Sequence, residues 1–280
     1  MLLRAESSIL LHMKCLVGKY GVVRDCARFA ICRICAVVSF LAPRPGRPRL
    51  GAMSATDDVL RSLEGARTDK LAAFNARLTP TVDAERFLGV PMAQMRRAAQ
   101  ALRRAGRSDE FYSSAPHAYV ELDIVHMLCL NTEADPDQWR RKMEEFLPLV
   151  DNWMVADSVK PACMGAHPGA VAAAARQWTG SEHAYTVRVG VCVLMGALRT
   201  SAYAADHLDW VAGIDWDDYY VQMVCAWYFA TAFDAHREDA VPYVAEPGPL
   251  PDPVRRRALR KILESRRTTP EERAWVRALP

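Results

Sequence analysis

Pro91-Met92-Ala93-Gln94-Met95-Arg96-Arg97-Ala98-Ala99-Gln100-Ala101-Leu102-Arg103-Arg104 reads as one amphipathic helix. Met92, Met95, Ala99 and Leu102 recur at steps of three and four, which gathers them on one side of an α-helix. Arg96, Arg97, Arg103 and Arg104, with Arg107 just beyond, take the other side, and no acid lies among them. One face is built for a core; the other is a run of charge, either a solvated helix face or a track for something negative.

Outward from this segment the pattern repeats. Upstream, Leu60, Leu63, Arg67 and Leu71 fall near helical spacing. Downstream, helices are expected at 117–130, 136–150, 151–159, 168–178, 183–199, 204–212, 216–236 and 252–266, with Asp, Pro and Gly punctuating the gaps. No stretch sustains a two-residue alternation bounded by hairpin turns, so β structure should be nearly absent. Helix pairs recur about every 35–40 residues, close to the period of HEAT-type repeats, whose neighbours share a core and leave one concave surface. The expected fold is all-α, a superhelical stack of HEAT-like repeats.

Of the 280 residues, 51% are hydrophobic and 25% charged, enough to bury a sizeable core. No apolar run reaches the ~18 uncharged residues of a membrane helix, so no membrane partner is expected. The formal net charge of +3 is unevenly divided. Residues 1–52 hold nine Lys and Arg against two Asp and Glu, a net of +7; residues 53–280 hold 27 against 31, a net of −4. If the globular part binds DNA, its positive charge must be gathered on one face. The organisation expected is a basic extension over 1–52, disordered or upstream of a natural start at Met53, followed by a helical-repeat domain over 53–280. Lys14, Lys19, Arg24, Arg28 and Arg33 interrupt every candidate core of a secretory signal.

Cys129, Cys163, Cys192 and Cys225 stand singly among apolar neighbours and read as small buried hydrophobes in a reducing, cytoplasmic setting. Cys32-Arg33-Ile34-Cys35 is a lone pair and weak support for zinc. With no phosphate loop, no dinucleotide glycine pattern and no paired ligand cluster, neither metal nor cofactor is expected.

Three residues break the core pattern. In Phe146-Leu147-Pro148-Leu149-Val150-Asp151-Asn152-Trp153-Met154-Val155-Ala156-Asp157, helical spacing sets Phe146, Val150, Trp153 and Asp157 on one stripe. Asp157 thus stands where an apolar residue belongs. A carboxylate beside an indole and partly out of water carries a raised pKa or a strong field; the alternative is an Asp that caps a turn or pairs with an Arg. Arg188 shares a stripe with Val191 and Met195, and is either an ion pair to an interior acid or a phosphate clamp at the mouth of a groove. Trp227, with Tyr220, Met223 and Val224, makes what looks like an ordinary core stripe. His117, Tyr119, Glu121 and His126 either line a groove or form a hydrogen-bonded helix junction.

Taken together these segments resemble the DNA alkylation repair family, the AlkD-like helical-repeat glycosylases. The resemblance runs through most of residues 57–275. It is carried by Lys70–Leu78 with Pro80, Leu88-Gly89-Val90-Pro91 with Arg96, Pro116–Glu121 with His126, and Val150-Asp151-Asn152-Trp153 with Asp157-Ser158. Arg188-Val189-Gly190, Tyr219–Met223 with Ala226-Trp227-Tyr228, and Glu264-Ser265-Arg266-Arg267 with Thr269-Pro270-Glu271 continue it.

The resemblance implies a monomeric enzyme that acts on double-stranded DNA containing N3- or N7-alkylated purines and cleaves the bond between base and sugar. It assigns Asp157 as the catalytic carboxylate, Trp153 and Trp227 as the aromatic residues of the site, and Arg188 as a contact to the DNA backbone. The electrostatic track it suggests is Arg96, Arg97, Arg103 and Arg104, joined by Arg257, Arg260, Lys261, Arg266 and Arg267 from a segment, 254–277, with nine basic and three acidic side chains. Arg256 stands where relatives often carry Asn, which bears on substrate range. Two other readings remain open on the same fold: a DNA-binding scaffold without excision, and a protein–protein adaptor that uses the net −4 of residues 53–280.

Overall fold

The computed structural model describes residues 53–245 and 248–279; the basic extension 1–52, with its Cys32–Cys35 pair, lies outside the described residues. Local chemistry sets the first helices. Ser54 accepts a hydrogen bond from the Asp57 amide while Asp57 accepts from the Ser54 amide, a capping box that opens α1 (Ala55–Glu64). Gly65 ends α1, and the Thr68 side chain accepts from the Leu71 amide to start α2 (Asp69–Leu78). This new cap breaks the continuous stripe read from Leu60 to Leu71: Arg67 and Leu71 do not share a helix face with Leu60 and Leu63.

The Arg-rich segment forms α3 (Met92–Arg104), burying Met95, Ala98, Ala99 and Leu102 and exposing Arg96, Arg97, Arg103 and Arg104. After it come α4 (Ser108–Tyr112), α5 (Val120–Leu130), α6 (Pro136–Phe146), α7 (Trp153–Ala156), α8 (Pro168–Thr179), α9 (Ala184–Ala197) and α10 (Asp206–Ala212). The chain closes with α11 (Tyr219–Ala235), α12 (Arg237–Val244), α13 (Asp252–Glu264) and α14 (Pro270–Ala278). Single 3-10 turns lie at Ala84–Arg86, Leu147–Leu149 and Ala162–Gly165, and no strand occurs among the described residues. Sequence periodicity missed α4, α12 and the nine-residue α14, and did not separate α2 from α1. α4 is barely longer than a turn and α12 contains Pro242, so neither offers a window in which a period can be read.

Packing follows a simple alternation. The odd-numbered helices touch in succession: α1 on α3, α3 on α5, α5 on α7, α7 on α9, α9 on α11, and α11 on α13. A second row is made by α6 on α8 and α8 on α10, joined to the first chiefly where α8 lies along α9. Two rows of helices in register, each pair contacting mainly its neighbours, make a helical-repeat superhelix. Close approach of α8 and α9 needs Gly190: a Cβ there would meet the Ala175 carbonyl oxygen at 2.8 Å. Trp139 of α6 and Trp178 of α8 are buried with ring centroids 5.1 Å apart. Each such fully buried large side chain contributes roughly 1.5–3 kcal/mol through removal of apolar surface from water.

One buried carboxylate fixes how α3 enters the stack. Glu121, at the start of α5, accepts from the amides of Leu88 and Gly89 at 2.9 and 2.8 Å. Gly89 adopts φ 72°, and a Cβ there would sit 2.2 Å from the Thr68 carbonyl oxygen. Only glycine makes this turn, so Leu88-Gly89-Val90-Pro91 and Glu121 are two halves of one junction.

Candidate active site

The segment around Asp157 is assembled from a single turn of helix. Asn152, fully buried, accepts from the Val155 amide at 3.1 Å and caps α7. Its Nδ2 donates to Asp151 at 2.8 Å, and Asp151 shares the Arg86 guanidinium with Asp123. α7 ends after four residues, and Asp157 is its C-cap, with its own amide donating to the Trp153 carbonyl at 2.9 Å. The stripe read from Phe146 through Asp157 is therefore interrupted. Pro148 and the 3-10 turn separate Phe146 and Val150 from α7, and only the Trp153–Asp157 step is helical. That one step suffices to bring the indole and the carboxylate to the same side.

Asp157 meets Arg188 from the middle of α9. Arg188 Nε donates to Oδ1 at 2.7 Å and Nη2 to Oδ2 at 2.8 Å, a two-pronged ion pair. Nη1 donates to the Tyr220 carbonyl on α11 at 2.7 Å, so the pair links α7, α9 and α11. The Cys192 thiol, one turn further along α9, adds a weaker contact to Asp157 Oδ1 at 3.4 Å, and burial raises its pKa well above the ordinary thiol range, keeping it a thiol. The Arg188 side chain is only 7% exposed and that of Asp157 18%. Arg188 forms the interior ion pair, one of the two roles open from sequence. Two of its five N–H groups remain.

The two tryptophans stand at the surface. Trp153 Nε1 donates to the Leu78 carbonyl at the end of α2, 3.1 Å away, which fixes the plane of the ring. Trp227 is 41% exposed, not the core residue that its stripe with Val224 suggested. α11 is apolar on every side. Val224, Tyr228 and Phe229 go inward, while Tyr219 and Trp227 face out. A uniformly apolar helix hides its exposed face from periodicity.

Beside Asp157 runs a groove of about 1130 Å³. α3 lines it with Arg96, Arg97 and Arg103; the end of α5 supplies Asn131 and Thr132; the segment after α7 supplies Ser158 and Lys160; α9 supplies Cys192 and Gly196. Asp157 is the one acid among the described residues of the wall, and Arg188 neutralises it, so the groove is cationic. Trp153, Arg188 and Trp227 are not part of that wall. Lys160 and Asn131 escaped the sequence reading, because an isolated polar residue in a non-periodic segment carries no pattern, and Cys192 read only as a buried hydrophobe.

The second basic segment is placed differently. Arg260, Arg266 and Arg267 are exposed, Lys261 is half-buried, and none of them lines this groove. Arg257 donates to the Pro253 carbonyl, and its guanidinium lies 5.6 Å from the ring centroid of Tyr219. Arg107 is spent on Glu110 and Asp58, tying α4 to α1.

The residues around His117 form a junction. His117 Nε2 and His126 Nδ1 are 3.0 Å apart, both rings are buried, and His126 is stacked between Tyr112 and Phe146. Burial lowers the His117 pKa to about 4 and that of His126 to about 2, the latter lowered further by His117. Burial likewise raises Asp123 to about 7 despite its pairing with Arg86. Both histidines are thus neutral packing elements near neutral pH. Among the described residues no group of three or more His, Cys, Asp or Glu is arranged to hold a metal ion, and no helix is long and apolar enough to cross a membrane.

No curated protein matches the chain by sequence. The family described as DNA alkylation repair enzyme matches residues 59–262, which run from α1 into α13 and include every residue of the ion pair and the groove, with Trp153 and Trp227. A match over most of the chain, on a helical-repeat superhelix with a cationic groove, establishes that this protein belongs to the DNA alkylation repair enzyme family and that its role lies in the repair of alkylated DNA.

Proposed function

We propose that the protein is a monomeric DNA glycosylase that hydrolyses the N-glycosidic bond of N3- and N7-alkylated purines in double-stranded DNA. The observation that carries this reading is the setting of Asp157: a carboxylate held in a fixed orientation by Arg188, in the wall of a groove whose other charged residues are all cations.

The chemistry asks little else. Alkylation at N3 or N7 makes the purine cationic, so it leaves with the bonding electron pair as a neutral base and needs no general acid. The barrier is the positive charge that develops at C1′ of the sugar. A preoriented carboxylate stabilises that charge and accepts a proton as water adds to C1′. Asp157 is assigned this role. Trp153 and Trp227 present electron-rich faces suited to a cationic base or sugar. Arg96, Arg97 and Arg103 neutralise phosphates along the groove, with Arg257, Arg260, Lys261, Arg266 and Arg267 extending the contact beyond it. Arg188 orients Asp157 and has two N–H groups left for a phosphate.

The test is release of free 3-methyladenine and 7-methylguanine from methylated duplex DNA by purified protein. Asp157→Asn should retain duplex binding and lose most release; undiminished release by this variant removes Asp157 from the reaction. One observation favours a second reading, a repeat protein that binds damaged DNA without excision: both Asp157 oxygens already accept from Arg188. That reading predicts salt-sensitive association with DNA and no abasic product.

A further inference from the structure

Three residues beyond Asp157 the chain carries Lys160, exposed in the groove wall. The backbone that presents it is pinned with unusual completeness for a loop. Asn131, buried just past the end of α5, uses every polar group of its side chain on this segment. Its Nδ2 donates to the Ser158 carbonyl at 2.7 Å, and its Oδ1 accepts from the Lys160 amide at 2.6 Å. Its main-chain carbonyl accepts from the Ala162 amide at 2.7 Å. Three hydrogen bonds from one buried residue hold residues 158–162 against the stack. A mobile lysine head contributes little to ordered recognition, because fixing a long side chain costs entropy; one mounted on a fixed backbone has already lost part of that freedom.

The electrostatics agree. Asp157, the one acid in the described groove lining, is matched by Arg188, and Lys160 forms no ion pair with a carboxylate among the described residues. A cation that no carboxylate offsets, in a concavity shared with Arg96, Arg97 and Arg103, leaves a net field that attracts a polyanion. We propose that Lys160 is a contact to a DNA phosphate immediately beside the lesion, and that Asn131 is the positioning residue that holds it there. The proposal rests on the DNA-binding part of the reading above and not on excision.

The test is the salt dependence of binding to an unmodified duplex oligonucleotide, followed by fluorescence anisotropy with the full chain at several NaCl concentrations. Each phosphate contact contributes about 0.9 to the slope of log K against log[salt]. Lys160→Ala should weaken binding and lower that slope by about one contact, and Lys160→Arg should restore it. Asn131→Ala should lower the slope in the same direction with Lys160 still present. Thermal melting monitors folding of each variant, and if Asn131→Ala does not fold, the Lys160 pair alone decides the phosphate contact. A slope and Kd unchanged in Lys160→Ala overturn the assignment, even if the wild-type protein releases alkylated purine. Duplex binding with the predicted slope change but no base release would overturn the glycosylase reading and leave this one standing.

Discussion

Arg188 faces Asp157 with both prongs of its guanidinium, at 2.7 and 2.8 Å, and gives its remaining terminal nitrogen to the Tyr220 carbonyl. Three helices therefore converge on a single cation that is nearly out of water. Removing one partner of such a pair leaves the other uncompensated, at a cost of about 3–5 kcal/mol in buried cases. Asp157 keeps some contact with solvent, so Arg188→Ala should fall near the lower end, about 3 kcal/mol in urea unfolding. Arg188→Lys keeps the charge but not the fork, and should recover only part of the stability and of the base release.

The junction between α3 and α5 makes a second prediction. Glu121 accepts from the Leu88 and Gly89 amides, so Glu121→Gln turns one acceptor into a donor aimed at other donors. The loss expected is about 1–3 kcal/mol. Because this junction fixes the entry of the Arg-bearing helix, the variant should also weaken duplex binding at temperatures where it remains folded, measured by anisotropy. Unchanged unfolding would show that water satisfies the junction equally well.

Acid should destabilise the fold. An unfolded imidazole takes up its proton near 6.5, whereas folded His117 does so at about 4 and His126 at about 2. Between pH 6.5 and 4 the unfolded chain thus gains two protons that the folded chain refuses, and stability falls with pH. Asp123, raised to about 7, opposes this: the folded state holds a proton in that window that the unfolded chain has released. Two against one leaves a net loss of about 1.4 kcal/mol per pH unit near pH 5. His126→Phe should flatten the profile in chemical denaturation. A wild-type profile that rises toward acid would contradict the sign.

Trp153 offers a separation of ring from hydrogen bond. Trp153→Phe keeps an aromatic face but loses the donation to Leu78. The cost to stability should be about 1 kcal/mol or less, since the bond lies at the surface. Base release under single-turnover conditions should fall more than duplex affinity does. Equal losses in both would assign Trp153 to binding alone.

Much of this molecule was legible in its sequence, and the exceptions have physical causes. α3, α5, α6, α8, α9, α11 and α13 were each anticipated within a few residues, α3, α6 and α13 from a buried stripe and the others as long apolar runs bounded by Asp, Pro or Gly. α7 was harder. Asn152 starts it and Asp157 ends it within one turn, so the longer stripe from Phe146 was fictitious although the Trp153–Asp157 step was real. The stripe of Trp227 taken alone pointed to the core, because α11 is apolar on all sides; only the resemblance set it apart. Arg188 left two options, and only a distance showed that it makes the ion pair. Asn131 and Lys160 gave no signal, since their relation joins α5 to a loop 29 residues away.

The brevity of α7 carries a consequence of its own. A long helix can absorb a register slip by sliding along its neighbours, but a lone turn clamped at both ends has nowhere to slide. One residue added between Val155 and Ala156 would rotate everything after it by about 100° about the helix axis. The carboxylate would then swing away from its guanidinium, with the Asn131 tether pulling against it. The spacing between indole and acid is thus a mechanical constant of the fold, and substitutions along these four residues should prove far better tolerated than any change in their number.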